Sequence, residues 1–332
     1  MARKRAKKMQ PAVTRLWFHI DSSNATNYLD ISLAASAANR RFYRQGLSWA
    51  VAGMTLHTSP TTDPEGNPLT VTGNFDVSKI PETWMAANAH TMVKNIWMKS
   101  QDQVLDDQPS IAAKYRDFKI NLDDNMVAAT RQGVGSAPAT DGEILMPIDR
   151  RNLTALPGEW VYSTIQLPNP GGAPTEVQLH MVGTDITSGT TQSRGLIHGY
   201  GLARSRPQLI DPNTPSDLGW ITEVFNVADN LDEIRIDVSD NNDLPPYRVG
   251  DSQTGTTDEF YPGGENNQPS TQLHSVEFIS STTVGGKTHI NGGIFPCGLV
   301  RFDWEINNAA ESMFLAVDLV PGTHKGYLAE AY

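Results

Sequence analysis

Apolar and polar residues alternate along much of this chain with a period of two, the pattern of strands that bury one face. A shift of one residue would exchange the buried face for the exposed one, so regular alternation specifies the register. The clearest case is residues 299–306, where the apolar side chains share one face and the three charged residues between them share the other. The apolar face consists of Val300, Phe302, Trp304 and Ile306.

Other segments show the same alternation and bring the number of predicted strands to about ten. Three less regular segments cover residues 51–57, 159–167 and 273–280. The regular ones are Leu16/Phe18/Ile20, Leu29/Ile31/Leu33, Phe118/Ile120/Leu122, Val177/Leu179/Met181, Ile234/Ile236/Val238 and Met313/Leu315/Val317/Leu319.

One long segment, from Pro81 to Leu105, has the spacing of a helix instead. Pro81 and Glu82 suit a first helical turn, and apolar residues follow three or four positions apart. A weaker helical pattern covers residues 218–228. The apolar positions of the stronger segment are Met85, Ala89, Met92, Val93 and Ile96.

Many short strands, few helices and long connections favour an all-β sandwich. The connections at residues 132–157 and 239–271 far exceed the usual length of about four to six residues, which is typical of loops that contact a partner. We expect a single jelly roll, in which two four-stranded antiparallel sheets pack face to face, with long loops and a short inserted helix. Lectins and cupins also use this fold, so the fold alone does not decide the function.

Charge is distributed unevenly along the chain. The formal net charge is −11, yet residues 1–44 contain nine Lys or Arg and two Asp. The remaining residues hold 17 basic and 35 acidic side chains. The sequence is therefore a basic end joined to an acidic body, and a basic end of this kind suits nucleic acid.

The basic end begins with an arm that a polyanion would attract. It would contact phosphate without reading base sequence, and its spacing also suits a nuclear-import signal. A solvated tail that only aids solubility is the alternative. The arm has five cations in six positions: Arg3, Lys4, Arg5, Lys7 and Lys8.

A second basic group, Arg40, Arg41 and Arg44, is interleaved with Phe42 and Tyr43. Guanidinium groups pair with phosphate and aromatic rings stack on unpaired bases, so this mixture predicts a contact with single-stranded nucleic acid. Binding to the acidic surface of a neighbouring subunit is an equally open interpretation, because bidentate arginine is favoured at interfaces.

The sequence contains no motif of a catalytic or metal site. The eight histidines are scattered without zinc spacing, and the acidic run 237–243 lacks the glycine and glutamate of a calcium loop. Cys297 is the only cysteine, and its apolar surroundings indicate inert packing. No apolar run approaches the roughly 20 residues of a membrane helix. We therefore expect no enzyme, no cofactor, no metal and no membrane partner.

Four stretches of sequence resemble a known family of coat proteins. The resemblance runs from near residue 28 to the end and is strongest in the last 40 residues. The stretches are residues 39–47 (NRRFYRQGL), 261–264 (YPGG), 293–302 (GIFPCGLVRF) and 319–330 (LVPGTHKGYLAE). They are similar to coat proteins of small circular, replication-initiator-encoding single-stranded DNA viruses.

This resemblance implies a jelly-roll shell domain over residues 12–332 and a basic, largely disordered arm over residues 1–11 that faces the interior. Copies of the chain, 60 or a multiple, would form an icosahedral capsid around a circular single-stranded DNA genome. The implied locations are the virion and, during assembly, the host nucleus; the host receptor stays unknown. The arm is shorter than in many such proteins and sits on a strongly acidic body, so each arm would bind DNA weakly.

Three other functions remain open on the sequence alone. A carbohydrate-binding jelly roll would stack sugars on exposed Trp84, Trp97, Trp160 or Trp220, although tryptophan more often packs in a core or an interface. A β-rich hydrolase would need two facing carboxylates or a metal. A coat protein with an RNA genome would use the same arm, because phosphate contacts do not distinguish the two sugars.

Overall fold

The fold of the described residues is mostly β: strands account for 50% and helices for 22%, so the predicted dominance of strands is confirmed. The predicted strand at residues 234–238 and the weak helix at 218–228 lie outside the described part of the chain. The computed structural model describes residues 12–20, 26–107, 117–132, 142–149, 153–158, 160–167, 175–187, 192–205, 270–280, 286–307 and 310–332.

The described strands and helices follow one another in this order along the chain. The helices are α1 (Ile31–Asn39), α2 (Trp84–Asp107), α3 (Asp124–Ala128) and α4 (Leu196–Ser205). The strands are β1 (Arg15–Ile20), β2 (Thr26–Asp30), β3 (Leu47–Pro60), β4 (Gly73–Lys79), β5 (Asn121–Asp123), β6 (Thr130–Arg131), β7 (Glu143–Ile144), β8 (Thr164–Leu167), β9 (Thr175–Val182), β10 (Ser193–Gly195), β11 (Gln272–Ile279), β12 (Lys287–Phe295), β13 (Leu299–Ile306), β14 (Ala310–Leu319), β15 (Pro321–Gly322), β16 (Gly326–Tyr327) and β17 (Ala329–Ala331).

Two curled antiparallel sheets form the body. The first has the order β1-β14-β3-β12, and β17 pairs with the part of β3 that β14 leaves uncovered. The second has the order β11-β4-β13-β2, which the short strands β7 and β6 extend in parallel. Each sheet therefore contains four strands paired antiparallel, and short strands widen both sheets.

One hydrophobic core takes side chains from both of these sheets. The first sheet supplies residues such as Phe18 and Leu315, and the second supplies Phe75, Phe302 and Trp304. The rings of Phe75 and Phe302 stack with centroids 5.6 Å apart. Because alternate residues of each strand enter this core, the other side chains of the strands face away from it.

The strands with regular alternation are predicted best. β13 has the predicted bounds, and Val300, Phe302 and Trp304 are buried while Glu305 is exposed. The regular segments that start at Leu16, Val177 and Met313 correspond to β1, β9 and β14. The less regular segments at residues 51–57 and 273–280 lie within or along β3 and β11.

The predicted strand through Leu29, Ile31 and Leu33 is wrong beyond its first residues. β2 ends at Asp30, whose side chain accepts a hydrogen bond from the backbone N–H of Leu33 at 3.1 Å. This is a helix N-cap, and the alanine-rich segment after it favours a helix. The sequence ISLAASAAN therefore forms α1.

The region between β4 and β11 is more elaborate than the short inserted helix that was expected. The predicted helix is confirmed as α2, but it is 24 residues long and packs against α4. A small mixed sheet accompanies it, with the order β10-β9-β5 and with β8 paired to β9. These elements share a second hydrophobic core that includes Met85, Val93, Phe118 and Leu179.

The turn Pro296–Gly298 joins the first sheet to the second. Its tight packing leads us to expect that replacing Gly298 lowers stability more than replacing Gly158. Gly298 has φ +68°, and a Cβ there would lie 2.8 Å from Cδ1 of the buried Trp49. Gly158 has a similar φ of +62°, and no heavy atom of a described residue lies within 4 Å of the corresponding position. Gly158→Ala should therefore cost only the backbone strain, about 1 kcal/mol.

We expect Gly298→Ala to lower the free energy of unfolding by about 1–3 kcal/mol more than Gly158→Ala, because the added methyl group also overpacks the core. Urea denaturation of the two variants and the wild type measures this difference. Equal losses in the two variants would contradict the tight packing of Trp49 against the turn.

Candidate nucleic-acid interface

The predicted binding residues fall into two groups with different outcomes. Arg3, Lys4, Arg5, Lys7 and Lys8 lie outside the described residues, which begin at Ala12. Arg40, Arg41 and Arg44 are described. Two of these three, Arg40 and Arg44, are exposed, and Arg41 is half-buried.

The point where the arm enters the body is held by three residues. The backbone N–H of Val13 donates to Oδ1 of Asn39 at 2.9 Å, and the hydroxyl of Tyr327 donates to the carbonyl of Val13. Nδ2 of Asn39 in turn donates to the Tyr327 hydroxyl at 2.6 Å. Asn39 immediately precedes Arg40, so this contact brings the root of the arm beside the second basic group.

The helix end determines how the second basic group is displayed. α1 ends at Asn39, and the next residue, Arg40, caps the helix in the left-handed conformation with φ 52° and ψ 42°. The backbone N–H groups of Arg40 and Arg41 both donate to the carbonyl of Ser36. This is a common way to satisfy the last carbonyls of a helix, and it turns the chain sharply at Arg40.

Tyr43 is fully buried, so the prediction that it stacks on unpaired bases is wrong. Its hydroxyl donates to the carbonyl of Lys325 at 3.1 Å, and its ring lies 5.4 Å from Tyr327 and 5.9 Å from Trp49. Burial raises the pKa of the Tyr43 hydroxyl. The tyrosine therefore anchors the basic loop to the body.

Phe42 also packs against the body. Its ring centroid lies 5.8 Å from that of Trp160, and Nζ of Lys119 lies 5.2 Å from the Phe42 centroid. The carbonyl of Phe42 accepts a hydrogen bond from Nζ of Lys325 at 2.8 Å. The two aromatic residues between the arginines thus hold the loop in place.

A buried polar network lies beneath the loop and centres on Gln45. The backbone N–H of Gln45 donates to Asp117 at 3.2 Å, and its side-chain amide donates to Asp30 at 2.9 Å. The amide oxygen accepts from the N–H of Ile120 at 2.6 Å. Burial raises the pKa of both carboxyl groups, Asp30 and Asp117, and the hydrogen bonds oppose this shift.

The surroundings of the loop contain further cations that the sequence did not single out. Lys325, in the turn between β15 and β16, is exposed and reaches the loop through Phe42. Nζ of Lys94, on α2, lies 3.7 Å from where a Cβ atom would stand on Gly46. Arg44, Lys94 and Lys119 each act electrostatically on Asp117. No sequence pattern links these lysines to residues 40–44, because tertiary packing alone brings them together.

The tryptophans proposed for sugar binding pack as core residues where they are described. Trp97 and Trp160 are buried, and Trp84 packs against the same core. Trp220 lies outside the described residues. Cys297 is also buried, which raises the pKa of its thiol and agrees with inert packing.

Within the described ranges, no group of three or more His, Cys, Asp or Glu side chains could hold a metal ion. None of the helices described has the length and apolar character to span a membrane. The chain has no significant match among protein-family models, curated proteins or solved structures.

His90 lies beside Gly46, close to the Arg40–Arg44 loop, and it makes the stability of the protein depend on pH. Its ring packs against Phe118 and Tyr332, and desolvation, with a smaller contribution from the charge of Lys94, lowers the pKa of His90 to about 4. As the pH falls below about 6.5, the unfolded chain binds a proton that the folded chain does not bind until about pH 4. Stability due to His90 is therefore lost as the pH falls through this window.

We expect this residue to contribute a loss of about 2 kcal/mol in the free energy of unfolding between pH 7 and pH 4.5. His90→Gln should lower stability at pH 7 and make the pH dependence flatter by that amount. The exposed His289→Gln is the matched control and should keep the wild-type slope. Denaturation curves at the two pH values test this, and equal slopes in His90→Gln and wild type would refute it.

Proposed function

We propose that this chain is a capsid protein whose copies assemble into an icosahedral shell around a circular single-stranded DNA genome. The observation that carries the proposal is the entry point of the arm. The hydrogen bonds among Val13, Asn39 and Tyr327 place Val13, which follows the most basic segment of the sequence, beside the Arg40–Arg44 loop. On a strongly acidic body, the residue at which the described chain leaves the arm thus lies next to the second basic group.

The strand pairing supports a jelly roll as the fold of each subunit. The four strands β1 to β4 pair with the four strands β11 to β14 in nested order, the outermost pair first. The pairs are β1 with β14, β2 with β13, β3 with β12 and β4 with β11. This is the pairing of one long antiparallel ribbon. Rolling the ribbon would add the pairs β14 with β3 and β13 with β4, and both are present. An eight-stranded rolled ribbon is a jelly roll.

The division of charge suits a shell that contains nucleic acid. The arm and the Arg40–Arg44 loop would contact phosphate groups inside the shell, and the acidic remainder would keep the outer surface soluble. The same arm would serve for import into the host nucleus, where assembly takes place, before release in the virion. Phosphate contacts of this kind do not read sequence, which suits a protein that must cover a whole genome.

Exposed apolar side chains on β11 support association between copies. Phe278 is 76% exposed and Leu273 is 56% exposed, and Ile294 on β12 is 55% exposed. Among the described strands, β11 pairs only with β4 and so leaves one edge open. An open edge with apolar side chains is a site that folded proteins normally cover, and subunit contacts would cover it here.

Electron microscopy of the recombinant protein tests the two parts of this function together. We expect the full-length chain to form uniform spherical particles that absorb at 260 nm. The variant without residues 1–10 should still form particles but contain less nucleic acid, because it lacks the arm cations. Only monomers or small oligomers across a range of salt, pH and calcium concentrations would contradict the shell. DNase and RNase digestion of the extracted contents identifies the nucleic acid.

The Arg40–Arg44 loop predicts a change in the salt dependence of DNA binding. The double variant Arg40→Ala/Arg44→Ala should bind a labelled 20-nucleotide oligothymidylate more weakly. Its slope of log affinity against log salt should fall by about 0.7 for each phosphate that the variant no longer neutralises. Lys99→Ala removes an exposed cation of α2 and is the control that should keep the slope. An unchanged slope together with a failure to form particles would instead assign the arginines to an interface between subunits.

A further inference from the structure

The outer face of the first sheet carries a cluster of rings that plays no part in the core. Side chains on this face form three cross-strand rows. The rows are Arg15–Asp318–Gly53–Asn291, Trp17–Ala316–Thr55–His289 and His19–Phe314–His57–Lys287. Five of these twelve residues have aromatic or imidazole rings, and they occupy the second and third rows.

Trp17 is the most exposed tryptophan among the described residues, with 37% of its surface accessible. Its ring centroid lies 5.2 Å from that of His57, although the two residues are on strands separated by β14. Neighbouring strands lie about 4.8 Å apart, so the two side chains must lean toward each other across β14. The residue below them is Ala316, which is only 2% exposed. The small alanine lets the indole cover the sheet and present its other side to solvent.

The other rings extend this surface on both sides. His19 and Phe314 make an edge contact with centroids 5.2 Å apart. Cε1 of His289 lies 3.3 Å from the Cβ position of Gly53, so the exposed imidazole covers the glycine backbone. Together the rings form a broad and shallow platform.

The charges around the platform favour a polyanion. Arg15 and Lys287 lie at opposite corners and are exposed. The one carboxylate in these three rows belongs to Asp318, and Arg15 binds both of its oxygens, at 2.6 and 2.7 Å. Desolvation together with Lys287 and Arg15 lowers the pKa of His57, so its ring is neutral near pH 7. The three rows therefore contain no unpaired carboxylate.

The platform begins only a few residues after the arm in the sequence. β1 begins at Arg15, two residues after Val13, where the arm is held. A polymer bound by the arm would therefore reach the platform along the first strand. Single-stranded nucleic acid matches both features, because its phosphates pair with cations and its unpaired bases stack on rings.

We propose that the outer face of sheet β1-β14-β3-β12 is a base-stacking platform for single-stranded nucleic acid, with Trp17 as its central ring. This inference rests on the proposed function and extends it from phosphate contacts to contacts with bases. Duplex DNA should bind the platform poorly, because its bases are already stacked on one another. The platform accepts any base, since every base has a face that can stack.

The test uses the full-length protein and a labelled 20-nucleotide oligothymidylate, with binding followed by fluorescence anisotropy. Trp17→Ala should weaken binding about tenfold, since stacking on one aromatic residue contributes on that scale. The slope of affinity against salt should stay unchanged, because no charge is removed. Trp17→Phe keeps a ring and should retain most of the affinity. Met98→Ala removes a side chain of α2 that is as exposed as Trp17, at 37%, and should bind within twofold of wild type.

A crosslinking experiment on the wild-type chain does not depend on the folding of any variant. An oligonucleotide that contains 5-iodouracil should crosslink to Trp17 on irradiation. Trypsin cuts after Arg15 and Arg40, so the crosslinked base should appear by mass spectrometry on peptide 16–40. Crosslinks confined to other peptides would overturn the platform.

The remaining outcomes separate this inference from the proposed function. Equal oligonucleotide affinity of Trp17→Ala and wild type would overturn the platform. If Trp17→Ala then failed to form particles, the face would be assigned to an interface between subunits. If Trp17→Ala instead lost binding to a glycan array, the face would be assigned to sugars. Absence of oligonucleotide binding by the wild-type protein, with no nucleic acid in its particles, would contradict the proposed function itself.

Discussion

The pairing of β1 with β14 is the constraint on which the rest of the structure depends. It joins Arg15 to Asp318 across 303 residues of chain. Closing so long a loop costs roughly 5 kcal/mol or more in chain entropy. The two strands bury Leu16, Phe18 and Leu315 among other side chains, and each such burial contributes about 1.5–3 kcal/mol. A few core residues on these strands are therefore enough to hold the two ends of the described chain together.

This one pairing positions both proposed contacts with nucleic acid. It brings the turn that contains Lys325 and Tyr327 to the start of β1, where Tyr327 holds Val13 and Tyr43. It also aligns Trp17 opposite Ala316, which leaves room for the indole to lie across the sheet. The basic loop is then fixed from below by Gln45 and from the side by buried rings. A loop fixed in this way loses little further entropy when it binds a ligand.

The sequence predicts the strands well where one face is wholly apolar, because alternation then follows burial directly. β13 is found with its correct bounds, whereas α1 is missed because Leu29, Ile31 and Leu33 continue an apparent alternation past the Asp30 cap. β4 and β12 were not predicted. They contain polar or glycine residues, and their register depends on partners far away in the sequence.

The sequence indicated which cations belong to the candidate site, but it did not indicate how the described ones are arranged. Charge counting is a local property, so it found the cations of residues 3–8 and 40–44. Burial is not local, so the sequence did not show that Tyr43 points inward. For Trp17 a signal did exist: it alternates with Leu16 and Phe18, and so belongs to the face opposite the core. Among the tryptophans considered for sugar binding, Trp160 lies in a less regular segment, and Trp84 and Trp97 lie in α2, so two-residue alternation assigns none of them a face.

The modest charge of each arm is compatible with firm retention of a genome once copies act together. Phosphate contacts and stacking on one chain are each weak, and the phosphate contacts weaken further as salt rises. In the proposed shell the contacts of neighbouring copies would act on one continuous polymer, so each new contact would form at a high effective concentration. Weak and sequence-independent sites then suffice for retention, and none of them prevents local release of the strand. The acidic body would add to this arrangement, because repulsion from the rest of the surface would direct the polymer toward the few places where cations and rings meet.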